Sequence, residues 1–404
     1  MGEWKNYKLN EVAEVQTGPF GSQLHQSDYK MVGTPIITVE HLAENKILHQ
    51  NLPLVSNEDK NRLNKYVLEE GDIVFSRVGS VDRRAYVSEK ENGWMFSGRC
   101  LRVRSNKKIV DPKFLSYYFG QESFKEHIRM IAVGATMPSI NTEILSHVDI
   151  TLPLLPEQKS IAAILSSLDD KIDLLHRQNK TLEALAETLF RQWFVEEAVE
   201  ESWETGRLGD ILESIESGSR PKGGIDPSLK EGIPSIGAEN INGLGVYDFS
   251  KTKFITPDFF KSMTRGLIKD YDVLIYKDGA YVGRKGMFAD GFPYDICAVN
   301  EHVFILRANN RANQFFLYFL LQEDELAQLN ANSAQPGLNQ EAMKSLEIII
   351  PPLELINQFK EKVKSLIDKI FFNCNQIRTL TRLCETLLPK LMSGEVRVKG
   401  TDSY

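Results

Sequence analysis

The side chains best suited by type and spacing to do chemistry are basic ones in glycine-rich text. Arg77 precedes Val78-Gly79, and Arg83-Arg84 follow shortly after. From Arg77 to Lys108, nine basic residues stand against three acidic ones, a local net of +6 in a chain of net charge −7. Arg99 belongs to this segment. Arg220 and Lys222 flank Pro221, and Lys277, Arg284 and Lys285 surround Gly279 and Gly283. Cations on such loops can neutralise phosphate, and an arginine can pair with guanine through two hydrogen bonds. Gln23 and His25 carry groups of the kind that read base edges. The competing reading of any one of these residues is an ordinary solvated charge, and that reading is preferred for Arg102, Arg104 and Lys108.

Catalytic motifs are missing. There is no GxxxxGK[ST] to cradle phosphate and no GxGxxG after a strand. The sequence has neither an Asn-Pro-Pro-aromatic tetrapeptide nor a GxSxG elbow. Its seven histidines form no HExxH or HxxxH pair, and its four cysteines no CxxC. No metal site, bound cofactor or catalytic centre is therefore expected in this chain. Apolar residues make up 42% and charged residues 25% of 404 residues, which predicts two or three globular units. No apolar run is long enough to span a membrane, and the first residues lack a signal-peptide core. A reducing cytoplasm is the expected setting.

What positions the basic loops is a sequence that reads twice. Trp4, Leu9, Val12 and Gly18 are matched by Trp203, Leu208, Ile211 and Gly218. Gly71-Asp72-Ile73-Val74 is matched by Tyr271-Asp272-Val273-Leu274, and Arg77-Val78-Gly79 by Lys277-Asp278-Gly279. The offset stays between 198 and 200. A period this long means two similar domains rather than a solenoid.

Each half ends in a helix whose apolar residues step by four and three. In the first they are Ile161, Leu165, Leu168, Ile172, Leu175, Leu182, Ala186, Leu189 and Trp193, with Asn179 in the polar slot. In the second they are Phe359, Val363, Leu366, Ile370, Ile377, Leu380, Cys384, Leu387 and Leu391, with Asn373 in the polar slot. This is the 3.5-residue period of a coiled-coil seam. The symmetry of the repeat predicts that the two helices pair antiparallel, with Asn179 and Asn373 as candidates for fixing register.

The globular parts mix short β-rich runs (IVFSRV, CLRVRS, VLIYK, VFILR) with helices predicted over 112–130 and 314–329. The fold class is therefore mixed α/β with mixed or antiparallel sheets. The boundaries read as a first domain over 1–154, a helix over 155–199, a second domain over 200–351, a second helix over 352–395, and a tail over 396–404.

The layout resembles the specificity subunit of type I restriction–modification enzymes. The likeness is carried by Thr17-Gly18-Pro19-Phe20-Gly21-Ser22-Gln23-Leu24, by Leu152-Pro153-Leu154-Leu155-Pro156-Glu157-Gln158-Lys159, and by Leu168-Asp169-Asp170-Lys171-Ile172 and Leu189-Phe190-Arg191-Gln192-Trp193-Phe194. It covers essentially the whole chain. The second half departs at Ser217-Gly218-Ser219-Arg220-Pro221-Lys222, and at Pro352-Leu353-Glu354-Leu355-Ile356-Asn357-Gln358, so the two domains are expected to read different sequences.

The resemblance implies that each domain is a target recognition domain reading one half of a split site on double-stranded DNA. It implies that the helices set the spacing and dock two methyltransferase subunits. S-adenosylmethionine would sit on those subunits, and ATP and Mg on separate restriction–translocase subunits. This chain would be non-catalytic. The alternative is a non-catalytic coiled-coil scaffold whose repeated domains bind protein or another ligand.

Overall fold

The computed structural model describes residues 3–21, 23–196, 203–322, 326 and 337–398. The chain divides into two compact units, residues 1–170 with 381–404, and residues 171–380. The long helices Leu155–Arg191 and Leu353–Ser393 each contribute one segment to either unit.

In the first unit, β1 (Lys5–Lys8) pairs antiparallel with β9 (Asp149–Leu152), drawing the two ends of the globular part together. The central antiparallel sheet runs in the order β2 (Ala13–Thr17), β8 (Cys100–Ser105), β5 (Ile73–Ser76), β6 (Arg84–Tyr86). A smaller mixed sheet holds β4 (Leu54–Val55), β3 (Thr34–Ile37) and β7 (Met95–Phe96), with β3 parallel to β7. Strand β5 explains its own apolar sequence. Ile73 and Phe75 face a core with Leu101, Val103 and Phe114, whereas Val74 faces a second core with Ile36, Val55 and Phe96. A strand buried on both faces reads as a continuous apolar run rather than an alternating one.

The second unit repeats this plan. β10 (Glu204–Arg207) pairs with β19 (Glu347–Ile350). The main sheet is β11 (Leu212–Ser217), β18 (Val303–Ala308), β15 (Val273–Tyr276), β16 (Lys285–Met287) and β13 (Gly243–Leu244). The smaller one is β14 (Lys253–Ile255), β12 (Ile233–Ile236) and β17 (Ala298–Val299). The mixed α/β class is as expected.

The helix predicted over 112–130 is two helices, Pro112–Tyr118 and Glu122–Ile131. Its counterpart is shorter than predicted, Gln314–Leu320, and positions 323–325 and 327–329 of that prediction lie outside the described residues. Asp111 and Asn313 cap these helices alike, each side chain accepting from the amide three residues on.

Within each unit the long-helix segments run antiparallel. In the second unit Asn179 faces Asn373 and Phe190 packs on Phe359, ring centroids 5.7 Å apart. In the first, Ile161 and Leu165 share a core with Leu391 and Met392, and Glu157 receives two hydrogen bonds from Arg397.

The apolar stripe is broader than a seam. Ile161, Leu165, Leu175, Val363 and Ile370 are buried, but Leu168, Ile172, Asn179, Leu182, Leu189, Leu366, Ile377, Leu380 and Leu387 are only half-buried. Ile356, Ile367, Phe371 and Cys374, outside the predicted seam or in its gaps, are buried instead or as well. The reason is that the second helix also packs on the globular part of its unit. Tyr271 donates to Asp368 at 2.7 Å, and Cys374 contacts the Gly245 carbonyl at 3.2 Å. A helix serving two neighbours needs a stripe of 3.6-residue period.

Candidate nucleic-acid interface

Strand direction sorts the loops of each unit into two sets. In the second unit, Leu212 pairs with Ala308 at one end of the main sheet, and Ser217 with Phe304 near the other. The first end meets the helices: Asn313 donates to the Ile356 carbonyl at 3.0 Å, and Tyr271 reaches Asp368. The second end, about 13 Å away over four strand residues, feeds the loops over 218–232, 277–284 and 300–302. The first unit does the same. Tyr117 donates to Asp169 at 2.6 Å, and Gln158 bonds both Asp111 and Ile109 at the helix end. The opposite end opens into the loops over 18–33, 77–83 and 97–99.

These loops are stitched identically. The Arg77 amide donates to the Arg99 carbonyl and the Ile140 amide to the Arg77 carbonyl. The Lys277 amide donates to the His302 carbonyl and the Leu338 amide to the Lys277 carbonyl. Gly18 and Gly218 are required for the same reason. A Cβ on Gly18 would overlap the Ser97 carbonyl, and one on Gly218 the Val299 carbonyl.

The first unit thus gathers Arg77, Arg83, Arg99, Gln23 and His25 on loops leaving one end of its sheet. Arg83, Arg99 and His25 are exposed. Arg77 is half-buried, with its guanidinium 5.3 Å from the Phe20 ring centre and donating to the Gly98 carbonyl at 3.2 Å. Gln23 accepts from the Tyr66 hydroxyl at 2.8 Å, so its side chain is held rather than free to turn. In the second unit Arg220 and Lys222 are exposed, and Arg220 pairs with Glu301 at 3.0 Å. Lys277 lies 4.9 Å from the Phe304 ring centre, and Arg284 stacks 4.0 Å over Tyr281.

Two expected contact residues belong to the interior instead. Arg84, 3% exposed, donates through Nε to the Ser116 carbonyl at 2.8 Å and through Nη1 to Glu44 at 2.7 Å. Lys285, 9% exposed, donates through Nζ to the carbonyls of Tyr318 and Leu321 at 3.0 and 2.8 Å. Each opens the corresponding strand, β6 or β16, and places a cation on the carbonyl end of the following short helix, where the helix dipole favours it. Burial works to raise the Glu44 carboxyl, but Arg84 and Lys125 outweigh it and hold Glu44 below its ordinary range.

Arg102 and Arg104 are likewise structural rather than solvated. Arg102 is buried and bonds the Lys65 carbonyl and Glu14. Arg104 makes a two-pronged pair with buried Asp72, matched in the second unit by Arg307 and buried Asp272. Lys108 is exposed, as expected.

Sequence reasoning missed the aromatic platforms Phe20 and Tyr281, and the acidic members of the second loop set, Asp278 and Glu301. The repeat held the signal for Asp278, since it aligns with Val78. Among the described residues no group of three or more His, Cys, Asp or Glu could hold a metal ion, and no helix is long and apolar enough to cross a membrane.

The family model described as type I restriction modification DNA specificity domain matches this chain twice, over residues 1–184 and 200–381. The chain is similar to the type I restriction enzyme MjaIX specificity subunit of Methanocaldococcus jannaschii, 26% identical over 98% of this chain and 94% of that protein. It is also similar to the HindI specificity subunit of Haemophilus influenzae, 24% identical over 98% of this chain and 100% of that protein. Its fold matches the crystal structure of a type I restriction–modification S subunit from M. genitalium, with a TM-score of 0.64 at 16% identity over 96% of each chain.

Proposed function

The chain belongs to the type I restriction–modification DNA specificity family and is a DNA sequence specificity subunit, and from that premise we propose that each unit reads one half of a bipartite site through its far loop set. The observation that carries this reading is the shared stitching of the two loop sets. Both present cations at the sheet end away from the helices, yet their side chains differ. Equivalent positions with different residues suit two different half-sites.

The helices then fix the distance between the half-sites and dock the methyltransferase subunits. Leu174, Leu185 and Phe372 are exposed on helix segments of the second unit, and Ile164 and Leu383 on those of the first, which supplies apolar surface for that docking. This chain recognises DNA and makes no bonds. S-adenosylmethionine, ATP and Mg belong to partner subunits, and the restriction–translocase subunits complete the complex.

The test is modified-base sequencing of DNA from cells making this chain with its methyltransferase partner. A two-part motif with an unread spacer is expected. Replacing the loop over 218–232 is expected to change one part and leave the other. A change in both parts, or a motif without a spacer, would overturn the reading.

A further inference from the structure

We propose that Asp278 and Glu301 are base-reading acceptors of the second unit, each taking a hydrogen bond from the exocyclic amino group of a cytosine or adenine in the major groove. This rests on the two-half reading above and names the chemistry of one half.

The matching amide bonds set up the comparison. Lys277 donates to the His302 carbonyl as Arg77 donates to the Arg99 carbonyl. Asp278 therefore stands where the first unit has Val78, Glu301 where it has Gly98, and His302 where it has Arg99. Three positions that are apolar, empty and cationic in one unit become carboxylate, carboxylate and imidazole in the other.

The three side chains form one connected group. His302 Nδ1 lies 2.7 Å from Asp278 Oδ2, and its Nε2 lies 3.3 Å from Glu301 Oε1. Arg220 Nε reaches the same Glu301 oxygen at 3.0 Å. The His302 amide donates to Asn300 Oδ1 at 2.9 Å, fixing the backbone beneath. Asp278 is also confined on its other side, since a Cβ on Gly337 would lie 2.8 Å from Asp278 Oδ1. Yet neither carboxylate is buried: their side chains are 36% and 29% exposed.

Exposed carboxylates on a surface that meets a polyanion repel phosphate. Bases offer what phosphates do not. Cytosine N4 and adenine N6 present N–H donors in the major groove, and a carboxylate is the acceptor for them. A carboxylate has about four lone-pair sites, so pairing with His302 does not use up its accepting capacity. Holding the side chains in place beforehand spares rotamer entropy on binding. The first unit offers the opposite chemistry at equivalent places: Arg77 and Arg99 are donors, suited to guanine O6 and N7.

The experiment uses the assembled complex of this chain with its methyltransferase partners and duplexes carrying its mapped motif. In the half-site read by the second unit, single amino groups are removed by replacing cytosine with pyrimidin-2-one or adenine with purine. The wild-type complex is expected to lose affinity roughly tenfold at one or two of these positions. Asp278→Ala or Glu301→Ala should bind the intact duplex about as weakly, and no longer distinguish it from the duplex lacking its own amino group. The position affected tells cytosine from adenine. Isosteric Asp278→Asn and Glu301→Gln keep an accepting oxygen and should fall between, with the other half-site still read, which controls for folding. Indifference of the wild type to every deletion, or wild-type discrimination by both alanine variants, would overturn the proposal while leaving the bipartite reading intact. A complex with no discrete motif would instead overturn the bipartite reading.

Discussion

Asn373 donates its side-chain amide to Asn179 Oδ1 at 2.8 Å across the helix pair of the second unit. Asn179 in turn reaches the Ile370 carbonyl at 3.5 Å and Cys374 Sγ at 3.4 Å. Asn373 is fully buried. A slipped pairing would set either amide against apolar side chains, so the pair penalises wrong registers.

This makes the two asparagines energetically coupled. Asn373→Leu alone leaves the Asn179 oxygen without its donor and should cost about 1–3 kcal/mol. Asn179→Leu in the same chain should recover most of that loss. Urea unfolding of the four variants of the cycle gives the coupling, expected at about 1 kcal/mol or more. Strict additivity would remove the register role.

Arg84→Ala and Lys285→Ala should be stability variants. Each strips a buried cation from helix carbonyls, a loss of roughly 2–4 kcal/mol. The surviving folded protein should bind DNA with an unchanged salt slope. A reduced slope with wild-type melting behaviour would return both residues to the DNA surface.

Arg83→Ala and Arg99→Ala should behave oppositely. Both side chains are exposed, so thermal stability should move by less than about 0.5 kcal/mol. If each touches phosphate, the dependence of log K on log salt should flatten by about one unit per residue. A flattened slope for one variant only would assign the other to a base edge or to solvent.

The thiols should be quiet. Burial pushes Cys100, Cys297 and Cys374 up to about 12, and burial with nearby Asp169 and Glu385 pushes Cys384 up to about 11. Because these pKa values are raised, the unreactive thiol persists to higher pH and thiolate grows only above pH 10. At pH 8 roughly one Cys384 in a thousand is thiolate. Native protein should therefore react with a disulfide reagent far more slowly at pH 8 than a free cysteine, with Cys384 first and all rates rising with pH. Fast labelling of any site at pH 8 would contradict the packing around it.

If the helices are the ruler, adding seven residues to each preserves the heptad phase and lengthens each by about 10 Å. The unread spacer should grow by about three base pairs, with both half-sites kept. Those pairs also turn the second half-site by roughly 100°, so weaker binding should accompany the longer spacer. Methylation mapping of the lengthened chain reads both outcomes, and an unchanged spacer would sink the ruler.

Much of this was legible in the residues, for identifiable reasons. The repeat was visible because Trp4 and Trp203, Gly18 and Gly218, and Asp72 and Asp272 answer to the same packing demands in both units. The helices were visible because a long apolar period leaves little ambiguity. What failed was telling an interior cation from a surface one. Arg83 and Arg84 are neighbours in sequence, yet one is exposed and the other opens a strand and is buried. The equivalence of Arg84 and Lys285 lies in the strand pairing, Arg84 opposite Phe75 and Lys285 opposite Ile275, and their separation of 201 falls just outside the repeat offset. A heptad count gives too narrow a stripe because it does not register the second packing partner, the globular part of the unit, which Ile367 and Phe371 serve.

Gly394, with φ +75°, ends the second helix directly against Trp4, and Arg397 lies 5.9 Å from the same ring. The first unit is thus sewn from two stretches separated by the second, whereas the second is one continuous stretch. During synthesis the order of completion reverses the order of translation. Residues 171–380 hold everything the second unit needs once they have left the ribosome. The first unit, although translated earlier, waits for Leu391, Met392 and Arg397 before its core is closed. A chain cut short between residues 381 and 391 would carry a finished second unit beside a first one with an open apolar wall.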